Sequence, residues 1–376
     1  MIAEATTSNT GLSGFTVALT AARRVDEFAV LLQRRGARTV GAPAMAIVPL
    51  ADDQSLRAAT DDVLAATPDI LIATTGIGFR GWVEAAEEWG VASALMDRLA
   101  GARVLSRGPK ATGALRAAGL REEWSPESES TAELLEHLPE DLSGQRVVIQ
   151  LHGATDDWDP NPGFLAELRR RGATVIGVPV YRWTAPADLA RFDSLVADIA
   201  AARVDAVAFT SAPAVAAMLA RAKERGITDQ LLAALRGPVI AYCVGPVTAR
   251  PLVDLDVPVV APERMRLGAL ARLIGDDLPG RRPTLSVAGH EVGVRANAVV
   301  VDGELCDVSP SGLALMHALA ANPGEVVART DLLALLPAAG GDLHAVEVAI
   351  GRLRSALGVR DIIATVVKRG YRLALD

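Results

Sequence analysis

The chain has 376 residues, half of them hydrophobic and 22% charged, with a formal net charge of −7. That length exceeds one ordinary domain of roughly 100–200 residues, and the apolar content argues against a disordered chain. Cys243 and Cys306 are far apart and outside any C-x-x-C spacing, which argues against a disulfide framework or a cysteine zinc site and points to a reducing compartment.

Met1 to Gly14 is polar, without the basic start and apolar run of a signal peptide. Charged or turn residues interrupt every hydrophobic stretch before the roughly 18 residues of a membrane span, so a cytoplasmic protein without a membrane partner is expected. Lysine is confined to Lys110, Lys223 and Lys368 while arginine and alanine abound, a bias of GC-rich bacterial genomes.

Short apolar runs at Thr16 to Leu19, Asp69 to Ile72, Arg146 to Ile149 and Asp205 to Phe209 alternate with helical segments ending at Gly36, Gly90, Gly172 and Gly226. Continuous apolar runs between helices predict parallel strands covered on both faces, and the glycines sit where helix C-caps belong. The two halves repeat. Leu32-x-Arg34-Arg35-Gly36-Ala37 with Gly41 and Pro43 recurs as Leu168-x-Arg170-Arg171-Gly172-Ala173 with Gly177 and Pro179. Asp69, Thr74 and Gly90 map onto Asp205, Thr210 and Gly226 at the same offset, and Leu12-Ser13-Gly14 matches Leu142-Ser143-Gly144. The duplication predicts two similar α/β lobes.

Ligands of such sheets bind beyond the carboxyl ends of the strands. There the chain offers hydroxyls (Thr20, Thr74, Thr75, Ser211, Thr248), backbone amides at helix starts, and Arg23, Arg24, Arg80, Arg107 and Lys110. This chemistry suits a small anionic ligand, although each residue alone could be a helix cap or an ordinary surface cation. Thr74-Thr-Gly-Ile-Gly78 lacks the third glycine of a dinucleotide fingerprint, and no P-loop lysine motif occurs.

Ala208-Phe-Thr-Ser-Ala-Pro-Ala-Val215, Val244-Gly-Pro-Val-Thr-Ala249 and Val180-Tyr-Arg-Trp-Thr184 resemble the uroporphyrinogen-III synthases over about residues 12–278. The resemblance implies lobes that exchange their first strand-helix unit: residues 12–48 and 181–278 in lobe 1, 49–180 in lobe 2. It also implies cyclisation of the linear tetrapyrrole hydroxymethylbilane with ring inversion and loss of water, without metal or cofactor. Tyr181 becomes the acid/base candidate or a half-buried hinge residue. Thr20 and Arg23 fall at the cleft mouth, and Ser211, Gly245 and Thr248 on the substrate. Thr75-Gly-Ile-Gly-Phe-Arg80 and the basic Ser106-Arg-Gly-Pro-Lys110 depart from the family pattern, which weakens catalysis more than ligand binding. Thr75, Arg80, Arg107 and Lys110 therefore count as ligand contacts.

Pro279-Gly-Arg-Arg-Pro283 reads as a linker, placed at 279–284. Strand-like segments follow around Leu285 and Val292 to Val301, with Asp302-Gly303 as a tight turn. Helical periods at Leu313 to Ala320, Thr330 to Leu336 (stopped by Pro337) and Leu343 to Leu357 come next, then a hairpin tipped by Lys368-Arg-Gly370. Between positions 351 and 372, Arg352, Arg354, Arg360, Lys368, Arg369 and Arg372 face only Asp361. The order of elements predicts a winged helix. Val348-Ala-Ile-Gly-Arg-Leu-Arg354 and Thr365-x5-Tyr371-Arg372 resemble the effector domain of OmpR/PhoB-type response regulators over 285–376. That resemblance implies a third helix in the major groove of double-stranded DNA, with His344, Arg352 and Arg354 on DNA and Lys368, Arg369 and Arg372 in the wing. A homodimer on DNA is compatible with it.

The expectation is an α/β protein of two lobes plus a C-terminal winged helix, acting as a transcriptional regulator with a synthase-like ligand-sensing region. By resemblance, its targets would be tetrapyrrole-linked or nitrogen-assimilation genes. The alternative is an active uroporphyrinogen-III synthase carrying a DNA-binding appendage, with a linear tetrapyrrole as its substrate.

Overall fold

The computed structural model describes residues 11–49, 54–127, 131–151, 163–336 and 342–376. Pro337 and residues 1–10 of the polar start lie outside the described residues. In chain order, the elements begin with β1 (Thr16–Leu19), α1 (Val25–Gln33), β2 (Arg38–Gly41), β3 (Ala46–Pro49), α2 (Gln54–Ala65), β4 (Ile70–Ala73), α3 (Gly76–Glu88) and α4 (Ala92–Ala100). They continue with β5 (Arg103–Ser106), α5 (Pro109–Ala117), α6 (Thr131–His137), β6 (Arg146–Leu151), α7 (Phe164–Arg170), β7 (Thr174–Pro179), β8 (Tyr181–Thr184) and α8 (Leu189–Ala200). Next come β9 (Ala206–Phe209), α9 (Ala212–Glu224), α10 (Thr228–Arg236), β10 (Ile240–Cys243), α11 (Pro246–Val253), β11 (Val259–Val260) and α12 (Leu267–Arg281). The last part holds β12 (Leu285–Val287), β13 (His290–Val294), β14 (Val299–Val301), β15 (Glu304–Cys306), α13 (Pro310–Ala321), β16 (Val327–Ala328), α14 (Arg329–Leu333), α15 (His344–Leu357), β17 (Ile363–Val366) and β18 (Gly370–Leu373).

The chain forms two compact units, residues 45–187 and residues 1–44 with 188–376. The first unit is lobe 2. Its parallel sheet runs β5-β4-β6-β7, and β4 is buried at every residue because helices cover both faces. The antiparallel ribbon β3–β8 belongs to this unit, where Tyr181, Trp183 and Ile47 pack on the cluster around Phe79 and Trp82. The sequence reading assigns the ribbon to lobe 1; its apolar contacts are with lobe 2.

In the second unit, lobe 1 carries the parallel sheet β11-β10-β9-β1-β2. Strand β1, from the start of the chain, pairs with β2 on one side and on the other with β9, built some 190 residues later, as the strand exchange requires. The repeated glycines cap as expected: Gly36 and Gly172 both adopt left-handed backbone (φ +94° and +91°) after α1 and α7. Of the residues read as a linker, 282–284 form the connection between lobe 1 and the C-terminal domain, and 279–281 belong to a helix. Helix α12 continues through Pro279 and Gly280 to Arg281, its last turn clamped by Asp277, which accepts hydrogen bonds from Tyr242 Oη (2.7 Å) and Arg281 Nε (2.5 Å).

The remainder of that unit is a winged helix. Strands β12-β13-β14-β15 form an antiparallel sheet; α13, α14 and α15 follow, and β16, between α13 and α14, joins the hairpin β17–β18 in the small sheet β16-β18-β17. Asp302 and Gly303 both have positive φ, the mirror-image turn that a two-residue hairpin needs. Val346, Ile350, Leu353 and Leu357 bury one stripe of α15, each contributing about 1.5–3 kcal/mol by leaving water. Gly358 (φ +76°) ends the helix.

Candidate functional site

In lobe 2, three residues distant in sequence converge at the carboxyl ends of β4 and β6. Thr75 caps α3, its Oγ1 accepting from Gly78 N (3.2 Å), and Tyr181 Oη donates to the same oxygen (3.4 Å). Gln150, fully buried at the end of β6, accepts from Thr75 N through Oε1 (3.0 Å), while its backbone carbonyl takes the Thr74 hydroxyl (2.7 Å). Sequence reasoning singles out Tyr181 and Thr75 and misses Gln150, whose one signal is a polar residue inside an apolar strand. A Cβ on Gly76 would lie 2.2 Å from Lys110 O, so the two candidate loops abut only because residue 76 has no side chain. Arg80 and Lys110 stand exposed near the starts of α3 and α5, and Arg107 is half-buried. The cluster presents one phenol, one shared hydroxyl and three cations, a set that can hold an anion and deliver a proton to an oxygen.

Lobe 1 holds its candidates differently. Thr20 is fully buried and its hydroxyl donates to Ala208 O (3.4 Å), so it ties β1 to β9 instead of standing at an open mouth. Arg23 is exposed at the end of β1. Ser211 caps α9 with no side-chain hydrogen bond to its first turn, leaving the hydroxyl uncommitted by the cap. Thr248 is buried in the first turn of α11, and Gly245, just before it, is packed against Met265.

On the winged helix, the buried stripe of α15 leaves His344, Glu347, Val348, Gly351, Arg352 and Ser355 facing outward at helical spacing. Arg352 is exposed there, and Lys368 and Arg369 are exposed at the hairpin tip, with Arg372 half-buried on β18. Arg354, read from sequence as facing DNA, commits its Nε and Nη2 donors internally. Its Nη2 reaches Ile363 O (2.5 Å) and Thr365 Oγ1 (2.9 Å), and its guanidinium lies 5.8 Å from the Tyr371 ring. It therefore braces the wing against α15. His344 Nδ1 sits 3.3 Å from Glu347 Oε2, and Glu347 also pairs with Arg329 (2.8 Å), which lowers the positive charge at the start of this helix.

Among the described residues, no helix is long and apolar enough to cross a membrane, and no group of three or more His, Cys, Asp or Glu could hold a metal ion. Two duplicated α/β lobes followed by a winged helix define the class: a synthase-type fold joined to a DNA-binding module. Residues 26–272 match the family described as uroporphyrinogen-III synthase HemD, and residues 303–373 match the one described as transcriptional regulatory protein, C terminal. The chain belongs to the uroporphyrinogen-III synthase HemD family and ends in an OmpR/PhoB-type DNA-binding domain.

A mutant uroporphyrinogen III synthase from the extremely thermophilic bacterium Thermus thermophilus has a similar structure, with a TM-score of 0.60 and 29% identity over 71% of this chain and 99% of that one. The uncharacterized protein YjjA of Bacillus subtilis (strain 168) is 32% identical over 265 residues, 69% of this chain and 94% of the relative. The TorCAD operon transcriptional regulatory protein TorR of Escherichia coli (strain K12) is 35% identical over 92 residues, 24% of this chain and 40% of TorR.

Proposed function

We propose that this protein is a cytoplasmic transcriptional regulator whose synthase-like lobes sense a small anionic ligand and alter DNA binding by the winged helix. The observation that carries the reading is the exposed set Arg352, Lys368 and Arg369, on a helix face and an adjoining β-ribbon that suit a duplex groove and its phosphates. Within lobe 2, Arg80, Arg107 and Lys110 are the proposed ligand contacts, and within lobe 1, Arg23 and Ser211, because cations and hydroxyls beside helix N-termini suit carboxylate or phosphate groups.

The test is a salt titration of binding to the protein's own promoter region. Replacing Lys368 and Arg369 together by Ala lowers affinity across sequences and reduces the salt slope by about 0.9 for each phosphate no longer neutralised. Arg352→Ala costs about 1–3 kcal/mol of discrimination between operator and unrelated DNA. An unchanged slope and an unchanged operator preference would dismiss the assignment.

A second reading, a working uroporphyrinogen-III synthase, is favoured by the Tyr181 hydroxyl held at Thr75 Oγ1. Freshly made hydroxymethylbilane separates the two readings. Production of the III isomer above the spontaneous I isomer, lost in Tyr181→Phe, is the outcome of an enzyme.

A further inference from the structure

Lobe 1 and the winged helix meet through buried polar chemistry at the amino ends of β1 and β9. Asp205, 1% exposed, divides its carboxylate between two domains: Oδ2 accepts from Thr16 N at the start of β1 (2.8 Å), and Oδ1 accepts from Ala296 N in the β13–β14 loop (2.8 Å). Arg295, 6% exposed, lies with its guanidinium 4.2 Å from the Phe15 ring centroid and donates to Arg282 O (2.6 Å). Asn297 Nδ2 donates to Arg203 O, beside Asp205. A Cβ on Gly14 would meet Val300 at 2.6 Å, so the surfaces are in full contact.

Lobe 2 contains the same device, bonded within its own lobe among the described residues. Asp69 Oδ2 accepts from Arg146 N (2.7 Å), the counterpart of the Asp205–Thr16 bond, but Asp69 is exposed. Gln145 stands where lobe 1 has Phe15, and a Cβ on Gly144 would meet nothing within 4 Å.

We propose that Asp205 is an interdomain latch: it fastens the winged helix to strand β1, so that lobe 1 and the DNA-binding module move as one body. Strand β1 then runs from the latch at Thr16 to Thr20 at its carboxyl end, roughly 13 Å at ordinary strand rise. On the ligand-sensing reading, on which this last step rests, strain at the ligand end of β1 reaches the DNA-binding module without crossing a flexible tether. A buried carboxylate shared by two backbone amides suits that task. Losing it strands both donors in a dry interface, so the two domains separate together or not at all.

Hydrogen exchange of the full-length chain, read over residues 293–300 and 12–18, tests the latch. In the wild type both segments are protected. Asp205→Ala speeds exchange over 293–300 roughly tenfold or more, as expected for loss of a buried hydrogen bond. Phe15→Gln, which installs the residue lobe 2 uses at the same place in a lobe that folds, speeds it as well. Asp69→Ala leaves 293–300 unchanged. Unaltered exchange over 293–300 in both lobe 1 variants, with far-UV circular dichroism showing a folded chain, overturns the proposal; if Asp205→Ala does not fold, Phe15→Gln alone decides. Promoter binding is a separate readout: its absence in a chain with an intact latch removes the regulator reading and leaves the latch standing.

Discussion

The basal loops of the two lobes are copies of one design put to different uses. Leu12 N donates to Arg35 O and Leu142 N donates to Arg171 O, and Gly14 and Gly144 share a φ of +78°. Each lobe then uses an aspartate to hold the start of its neighbouring strand, through Thr16 N or Arg146 N. In lobe 2 the loop carries a half-buried Gln145 and an exposed Asp69; in lobe 1 the winged helix covers it, Phe15 replaces glutamine, and Arg295 lies on the ring. The difference shows how little a duplicated lobe must change to accept another domain. An aspartate that already spends one oxygen inside its own lobe has a second to offer, and an aromatic ring provides a surface on which a cation can be buried.

This contrast can be broken by paired substitutions. The largest expected effect is in the aspartates. Asp205→Ala leaves the Thr16 and Ala296 amides without an acceptor in a buried setting and lowers stability by about 2–5 kcal/mol in denaturant titrations. Asp69→Ala costs about 0.5–1.5 kcal/mol because water reaches the freed amide. Equal losses would mean that burial of the lobe 1 loop adds nothing.

The glycines come next. Both Gly14→Ala and Gly144→Ala carry the penalty of a left-handed residue, about 1 kcal/mol, seen as a lower denaturation midpoint. Gly14→Ala adds about 1–3 kcal/mol of overpacking against Val300, so a matched pair of losses would contradict the contact.

The smallest effect is in pH. Burial pushes the Asp205 carboxyl above its ordinary value of 3.8, with the amides of Thr16 and Ala296 and the nearby Arg282 and Arg295 pulling it back. The folded chain therefore holds that proton more tightly than the unfolded chain. Stability attributable to this group falls as pH rises from about 3.8 through the raised value. Asp205→Asn removes this slope, measurable as the pH dependence of the denaturant midpoint against wild type; an identical pH profile would count against burial of the carboxylate.

Much of the architecture is legible in the sequence because its signals are local. Apolar runs mark β1, β4, β6 and β9, glycines mark the ends of α1, α3, α7 and α9, and Asp302-Gly303 marks the β14–β15 turn. The stripe Val346, Ile350, Leu353 and Leu357 gives the inward face of α15, and with it the outward position of Arg352. Of the linker expected at 279–284, residues 282–284 connect α12 to β12, while 279–281 are drawn into the helix for a tertiary reason: Tyr242 and Arg281 grip Asp277 and carry the helix through Pro279. Thr20 and Arg354 also carry the right chemistry for a ligand or a phosphate, yet the fold commits the Thr20 hydroxyl to Ala208 and the Arg354 Nε and Nη2 to Ile363 and Thr365.

By itself the amino-acid sequence determined the two copies of an α/β lobe, the winged helix after them and the cationic stretch from Arg352 to Arg372, since periodicity, turn chemistry and repetition act between near neighbours. Tertiary structure alone decided which polar groups meet. Tyr181 reaches Thr75 across 106 positions, Gln150 reaches Thr75 across 75, and Asp205 reaches Ala296 across 91. A hydrogen bond needs its partners within about 3 Å, and no sequence spacing of that length fixes such a distance until the sheets have closed and excluded water around it.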